Sequence, residues 1–288
     1  SDLYDIISDG DKMDGILLIN KEQNMTSHDV VARLRRILHT KKIGHSGTLD
    51  PNATGVLMVL IGRACKALPF LEDTDKEYVA TLQLGMRTIS DDIWTPPLAQ
   101  APIQPITDFA AVLDTFRGVQ EQVPPMISSV RVNGKKLYEY AREGKEVERP
   151  VRKVTIYDIE ALDVEKLKFR VSCSSGTYVR SLCHDIAKKT GNLGCMSSLV
   201  RTKVGRFSLE QCVTLQEVEE GCFQLHSLRE VLSHYECVEY EQPADIYNGK
   251  RIRLSCEADA IAVTHNGEIV AIYQREEADV FHCVRGLW

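Results

Sequence analysis

Gly44-His45-Ser46-Gly47-Thr48-Leu49-Asp50-Pro51-Asn52-Ala53-Thr54-Gly55-Val56-Leu57 is the stretch around which the whole chain reads. Two glycines and a proline bracket one carboxylate, and the apolar run Val56-Leu57-Met58-Val59-Leu60-Ile61 continues from it. Glycine permits backbone angles that other residues resist, while proline fixes its own φ and restricts the residue before it. Asp50 is therefore expected on a stiff turn leading into a buried strand, where a carboxylate faces a cavity with little freedom to wander. The same residues also fit an Asx-type turn whose aspartate bonds only its own backbone. The stretch by itself leaves both readings open.

The fourteen residues from Gly44 to Leu57 closely resemble the signature of the TruB family of tRNA pseudouridine synthases. The resemblance implies that Asp50 is the catalytic aspartate. Further blocks resemble the family in the same order. Lys76-Glu77-Tyr78, entering a strand, is similar to the motif whose tyrosine stacks on the target base, which assigns Tyr78. Gly85-Met86-Arg87-Thr88-Ile89-Ser90-Asp91-Asp92 follows with fewer Thr and Asp residues than the family pattern, so its acidic residue is Asp91 or Asp92; Asp92 is taken as substrate-binding. The block from Gln122 to Arg142 lines the family's RNA cleft, which implicates Lys135 and Lys136. Ser175-Gly176-Thr177-Tyr178-Val179-Arg180 resembles the motif whose arginine pairs with the catalytic aspartate, and Leu199 matches a leucine wall of the cleft. By the same resemblance His45 fills the space left by the flipped nucleotide, and Arg201, Lys203 and Arg206 extend the RNA surface.

Size and composition agree with such a protein. A chain of 288 residues with 43% hydrophobic and 26% charged content buries a sizeable core in one large domain or a large and a small one. No apolar run is long enough to span a bilayer and no signal peptide is recognisable. Residues 1–12 read as a leader or expression remnant, with Met13 as the expected native start. The nine cysteines are odd in number and scattered, with no Cys-x-x-Cys, which argues for a reducing cytoplasm over a disulfide framework or zinc site. Cys183 beside His184 invites a Cys/His nucleophile reading, but both fall on an ordinary helical pattern.

Net charge is −6, which by itself speaks against a nucleic-acid partner. Its distribution reverses that: residues 210–288 carry −9 and 1–12 carry −3, leaving +6 on 13–209, the part that holds the signature.

Periodicity supplies the elements. Gly15–Lys21 reads as a buried strand, and Ser27 as the N-cap of a helix through about His39, with an apolar stripe Val30, Val31, Leu34, Ile37, Leu38. A helix is expected from Arg63 to Leu71, then a strand from Lys76 with Tyr78, Ala80, Leu82 and Leu84 on one face. Thr107 is expected to cap a helix with Phe109, Val112, Leu113 and Phe116 inward. Asn133-Gly134 is a hairpin-turn dipeptide, followed by a basic helix carrying Lys135, Lys136, Arg142 and Lys145. Strands over Val151–Leu162 and Leu167–Cys173 lead to a helix N-capped by Thr177 that places Arg180 in its first turn. A cation there is disfavoured by the helix dipole and calls for an anion. Beyond Phe207, short helices and then short strands resemble a small PUA-type RNA-binding module.

The expected fold is mixed α/β (α+β): a largely antiparallel central sheet flanked by helices with an RNA-binding cleft, plus a small C-terminal β-rich PUA-like domain. The expected boundaries are 13–236 for the catalytic domain and 237–288 for the PUA-like one. The implied activity converts uridine 55 in the T-loop of tRNA to pseudouridine. Because that isomerisation breaks the C1′–N1 bond and makes C1′–C5 without net oxidation, no cofactor and no metal are expected. The expected partner is the tRNA T-stem-loop, with no membrane and no protein partner required. Two other readings stand beside it, a non-catalytic RNA-folding chaperone using the same cleft and a guide-dependent synthase of the same family.

Overall fold

A computed structural model describes residues 13–71 and 74–288, so the expected leader 1–12 lies outside the described residues. The apolar run from Gly15 forms strand β1 (Gly15–Lys21), buried along almost its whole length. Helix α1 (Ser27–Ile37) turns Val30, Val31 and Leu34 inward, as its stripe predicts. Its cap is Thr26 rather than Ser27. The Thr26 hydroxyl accepts from Asp29 N at 2.9 Å, and the Asp29 carboxylate accepts from Thr26 N at 2.9 Å, a closed capping box. Strand β2 (Ile43–Ser46) runs antiparallel to β3 (Thr54–Ile61), with the turn bearing Asp50 between them. The helix expected at Arg63–Leu71 is a 3-10 helix, Gly62–Phe70, and Pro69 within it has no N–H for a regular ladder.

The chain divides into two compact units. One holds the described residues from 13 to 51, those from Val56 through the 3-10 helix, and everything from Glu210 onward. The other holds Asn52–Gly55 and the segment up to Leu209.

In the second unit, β4 (Lys76–Leu84) puts Ala80, Leu82 and Leu84 into the core on one face, as the alternation requires. Strands β5 (Met86–Thr88) and β6 (Pro97–Gln100) form a hairpin, and α2 (Phe109–Asp114) follows. Asp108, not Thr107, caps α2, accepting from Ala111 N at 3.0 Å. Strand β7 (Gly118–Gln122) leads to a two-residue hairpin of β8 (Arg131–Val132) and β9 (Lys135–Lys136), then to helix α3 (Leu137–Arg142). Asn133 and Gly134 turn that hairpin at φ of 52° and 78°, the left-handed pair that the dipeptide predicts. Strands β10 (Arg152–Asp163) and β11 (Lys168–Cys173), helix α4 (Val179–Lys189), β12 (Gly194–Val204) and β13 (Phe207–Ser208) complete the unit.

The sheet runs β12-β4-β11-β10-β7, every pair antiparallel. Thr54 and Gly55, the first residues of β3, add a parallel pairing with Val200 and Arg201. The expected largely antiparallel sheet is thus present. Phe109 and Leu113 of α2 and Val179, Leu182 and Ile186 of α4 cover it, packing with Ala80, Leu82, Phe169 and Val171.

The C-terminal part continues through short helices α5 (Leu215–Glu219) and α6 (Leu228–Val231). Backbone bonds Asn20 N to Val213 O (2.9 Å) and Ile16 N to His226 O (2.8 Å) tie this part to β1. Strand β14 (Glu236–Glu239), helix α7 (Pro243–Tyr247), β15 (Ile252–Arg253), β16 (Ala260–His265), β17 (Glu268–Glu277) and β18 (Val280–Gly286) follow. They form a separate five-stranded sheet, β14-β16-β17-β18-β15, with its own core of Ile246, Ile261, Val263, Ala271, Tyr273 and Phe281. All nine cysteines are free thiols; Cys173, Cys183 and Cys195 are buried and Cys222 is exposed. Among the described residues no helix is long and apolar enough to cross a membrane.

Candidate active site

The turn carrying Asp50 is held on both sides of the acid. Ser27 Oγ accepts from Leu49 N at 2.9 Å and donates to Leu49 O at 3.1 Å, so the hydroxyl misread as a cap is the latch on the residue before Asp50. On the other side, Pro51 O accepts from Asn24 N at 2.8 Å and from Lys21 Nζ at 3.3 Å. Lys21 is 1% exposed, and its ammonium also donates to Glu22 O and Met25 O at 2.8 and 2.6 Å. Leu49 is buried and Asp50 itself is exposed. The backbone on either side of this reachable carboxylate is thus fixed in advance of any ligand. Sequence reasoning missed Lys21 and Asn24; the available signal was a lysine closing an apolar strand that ends in a turn. His45 lies in the same unit, half-buried on strand β2 opposite Val59.

Tyr78, Arg180, Leu199, Arg201, Lys135, Lys136 and Asp92 belong to the second unit. In the β4–β12 ladder Arg201 stands opposite Tyr78 and Leu199 opposite Ala80. Tyr78 and Leu199 are therefore diagonal neighbours on one sheet face, both half-buried against the main core. Arg201 is 2% exposed, which corrects its placement on the RNA surface: its guanidinium is an interior group. Gly55 pairs with Arg201 at φ 109°, and a Cβ on it would fall 2.1 Å from the Arg201 carbonyl oxygen. That backbone approach is why the signature needs glycine at this position.

Arg180 enters from the first turn of α4 and is 7% exposed. Its Nη1 donates to Ser90 O and Ile127 O, each at 3.0 Å. The N-cap of α4 is Tyr178 rather than Thr177. Its backbone is clamped by the side chain of Gln122, which accepts from Tyr178 N at 3.0 Å and donates to Tyr178 O at 3.2 Å. Ser181 Oγ donates to Val123 O at 2.7 Å beside it. The end of β7 thus fixes the start of α4, and with it Arg180. Gln122, 2% exposed, is a positioning group that the sequence did not disclose.

Asp92 is also used internally. Its Oδ1 accepts from Ser90 Oγ at 2.6 Å and Trp94 N at 3.0 Å, and its carbonyl accepts from Thr88 Oγ1 at 2.6 Å. It locks the turn that presents Ser90 O to Arg180. Lys135 and Lys136 stand on β9, before α3 begins, which corrects their placement on the helix. The Lys136 ammonium and the Arg142 guanidinium lie 5.6 and 5.2 Å from the Tyr138 ring centre, and Lys135 lies 4.8 Å from that of Tyr140. Lys135 also pairs with Glu143. These stacked cations and rings make a surface of the kind that takes phosphates and bases together. Cys183 is buried, and burial pushes its thiol well above the ordinary range, so it is no nucleophile.

Comparison with known proteins gives a consistent answer. Residues 35–179 match the N-terminal domain of the TruB family of pseudouridylate synthases, and residues 180–238 match the C-terminal domain of tRNA pseudouridylate synthase B. A tRNA pseudouridine synthase B from Bacillus velezensis is 43% identical, with 91% of this chain and 93% of the relative covered. One from Geobacillus kaustophilus is 49% identical over 72% of this chain and 76% of the relative. Among solved structures, a Cbf5-Nop10-Gar1 complex aligns with a TM-score of 0.73 at 24% identity, covering 95% of this chain and 85% of that one, a likeness of fold. The chain belongs to the TruB family of pseudouridylate synthases.

Proposed function

We propose that the protein isomerises uridine 55 of the tRNA T-loop to pseudouridine, with Asp50 as the catalytic acid and Arg180 as its cationic partner. The observation that carries this reading is the strand pairing just past the acid. Four residues after Asp50 the chain joins β12 at Thr54, beside the strand that bears Leu199 and lies against Tyr78. The acid is thus a pinned, exposed carboxylate only four residues ahead of that pairing in the chain.

In the reaction the C1′–N1 bond breaks, the uracil rotates, C1′ bonds to C5, and the C5 proton is lost while N1 gains one. Nothing is oxidised or reduced. The task for the protein is to hold an anion at the sugar, keep it ionised beside a guanidinium, and retain the freed base. Tyr78 stacks on the everted uracil, Leu199 closes the wall, and His45 occupies the vacated stack. Extruding a base costs on the order of a few kcal/mol and least in an RNA loop, which fits the T-loop as target. Lys135 and Lys136 take phosphates of the T-stem. The C-terminal sheet serves as a PUA-like RNA contact, and the enzyme works in the cytoplasm on bare tRNA with no protein partner.

The test is Asp50→Asn assayed by tritium release from a T-stem-loop RNA and from full-length transcript. Pseudouridine formation is expected to fall by roughly three orders of magnitude or more, with RNA binding retained. Wild-type product from Asp50→Asn rejects the assignment, and activity only in the presence of a guide RNA or protein would favour a guide-dependent synthase.

A further inference from the structure

Ser27 opens α1 and is 2% exposed. The helix makes no demand on its hydroxyl, because Thr26 and Asp29 already close the capping box. Ser27 Oγ instead engages both backbone polar atoms of one residue far along the chain. Leu49 N donates to it at 2.9 Å, and it donates to Leu49 O at 3.1 Å. Leu49 is 3% exposed, so loss of either bond leaves a buried backbone group unsatisfied.

The Leu49 carbonyl belongs to the planar peptide unit that joins Leu49 to Asp50. A donor on that oxygen therefore sets the tilt of the plane from which Asp50 departs. On its other side Asp50 precedes Pro51, whose ring disfavours the helical region for the residue before it. Proline brings no N–H, so the Asp50–Pro51 unit has no backbone donor of its own with which to be fixed. Ser27 thus orients the backbone ahead of the acid, while Lys21 Nζ and Asn24 N hold Pro51 O behind it. The far end of α1 is tied to the same segment, since Arg35 Nη2 donates to Ile43 O at 3.1 Å where β2 begins. Helix α1 is bonded to both ends of residues 43–49 and acts as a splint along them.

We propose that Ser27 is a positioning residue for pseudouridine formation: its hydroxyl sets the Leu49–Asp50 peptide plane and, through it, the direction of the Asp50 carboxylate. The proposal rests on the reading that Asp50 is the catalytic acid. A hydroxyl both donates and accepts through one oxygen, which is what this pair of bonds requires. Buried at the start of α1, Ser27 acts on the chemical step and not on RNA binding. A misplacement of about 1 Å at a reacting group costs on the order of 10²-fold in rate.

The test is single-turnover pseudouridine formation at saturating T-stem-loop RNA for Ser27→Ala, Ser27→Cys and Ser27→Thr, at a temperature well below every thermal midpoint. The RNA dissociation constant is measured for each. Ser27→Ala is expected to slow the chemical step at least about tenfold, with RNA affinity within about twofold of wild type. Ser27→Cys, a weaker donor and acceptor of similar shape, is expected to fall between alanine and wild type. Ser27→Thr keeps the hydroxyl and is expected to recover the rate to within about threefold. A chemical step within about twofold of wild type in Ser27→Ala overturns the proposal. So does a rate loss matched by an equal loss of RNA affinity, or one that Ser27→Thr does not recover, since both mark a general loosening of the fold. If Ser27→Ala yields no folded protein, Ser27→Cys is read by the same criteria, and its failure to fold also overturns the proposal. Asp50→Asn is measured alongside. Wild-type product there removes the underlying reading, whereas an inactive Asp50→Asn beside an undiminished Ser27→Ala removes the role of Ser27 alone.

Discussion

Replacing Lys21 by methionine is a direct test of how the turn carrying Asp50 is held. The two side chains have similar length and shape, so the change removes an ammonium and little else. Three carbonyl groups lose their donor, those of Glu22, Met25 and Pro51. A buried acceptor left without a partner costs about 1–3 kcal/mol. Pro51 O keeps its bond from Asn24 N, and Glu22, being exposed, lets water reach its backbone, so the sum falls toward the lower end of three such losses. A cost of about 2–4 kcal/mol follows. At about 2–4 °C per kcal/mol for a chain of this order, the thermal midpoint drops by roughly 5–15 °C. The released turn also carries Asp50, so single-turnover pseudouridine formation well below the midpoint is expected to slow, with RNA binding little changed. Differential scanning calorimetry and a quench-flow tritium assay read the two effects. A midpoint within about 2 °C of wild type, a shift below about 1 kcal/mol, would refute the reasoning.

Gly55→Ala places a Cβ 2.1 Å from the Arg201 carbonyl, so β3 and β12 must separate where they pair. The expected result is loss of soluble protein or a midpoint lowered by well over 5 °C, on the scale of severe overpacking (about 1–3 kcal/mol or more). Asp91→Asn is expected to stabilise the protein at neutral pH. The native carboxyl titrates at about 6 against an ordinary 3.8, so the native state prefers it protonated. That contribution is full below 3.8, declines as pH rises to about 6, and leaves an ionised buried carboxylate above it. The variant should gain up to about 3 kcal/mol at pH 7.5 and nothing at pH 4, as urea titrations at the two pH values would show. Lys136→Ala is expected to weaken T-stem-loop binding and to reduce the slope of log affinity against log salt by about 0.7–0.9, one counterion's worth. An unchanged slope takes Lys136 out of the RNA contact.

Much of this architecture was legible in the sequence because apolar periodicity is a local signal. The alternation from Tyr78 to Leu84, the stripe Val30-Val31-Leu34 and the Asn133-Gly134 turn each declare themselves within a few residues, and each formed as expected. The helix caps were off by one at Thr26 and Asp108 because neighbouring polar residues compete for the same backbone donors, and at Tyr178, where no side chain caps the helix. Ser27 lost the cap and gained Leu49, a partner 22 residues away that no local pattern reveals. The same limit hid Lys21 and Gln122, whose bonds reach across 30 and 56 residues. Arg201 was placed on the surface for a related reason: a charge read in isolation suggests an exposed group, whereas the fold turned this one inward.

The thiol inventory has a practical consequence. Burial lifts the Cys173 sulfur to about 12 and that of Cys195 to about 11, and seals Cys183 completely, so none of the three offers a thiolate to an electrophile. Cys222, exposed in the loop after α5, is then the first sulfur a maleimide dye meets, in a part of the chain remote in sequence from the signature. A fluorophore could be anchored there without mutagenesis, and energy transfer to a labelled tRNA elbow would follow docking and release in real time.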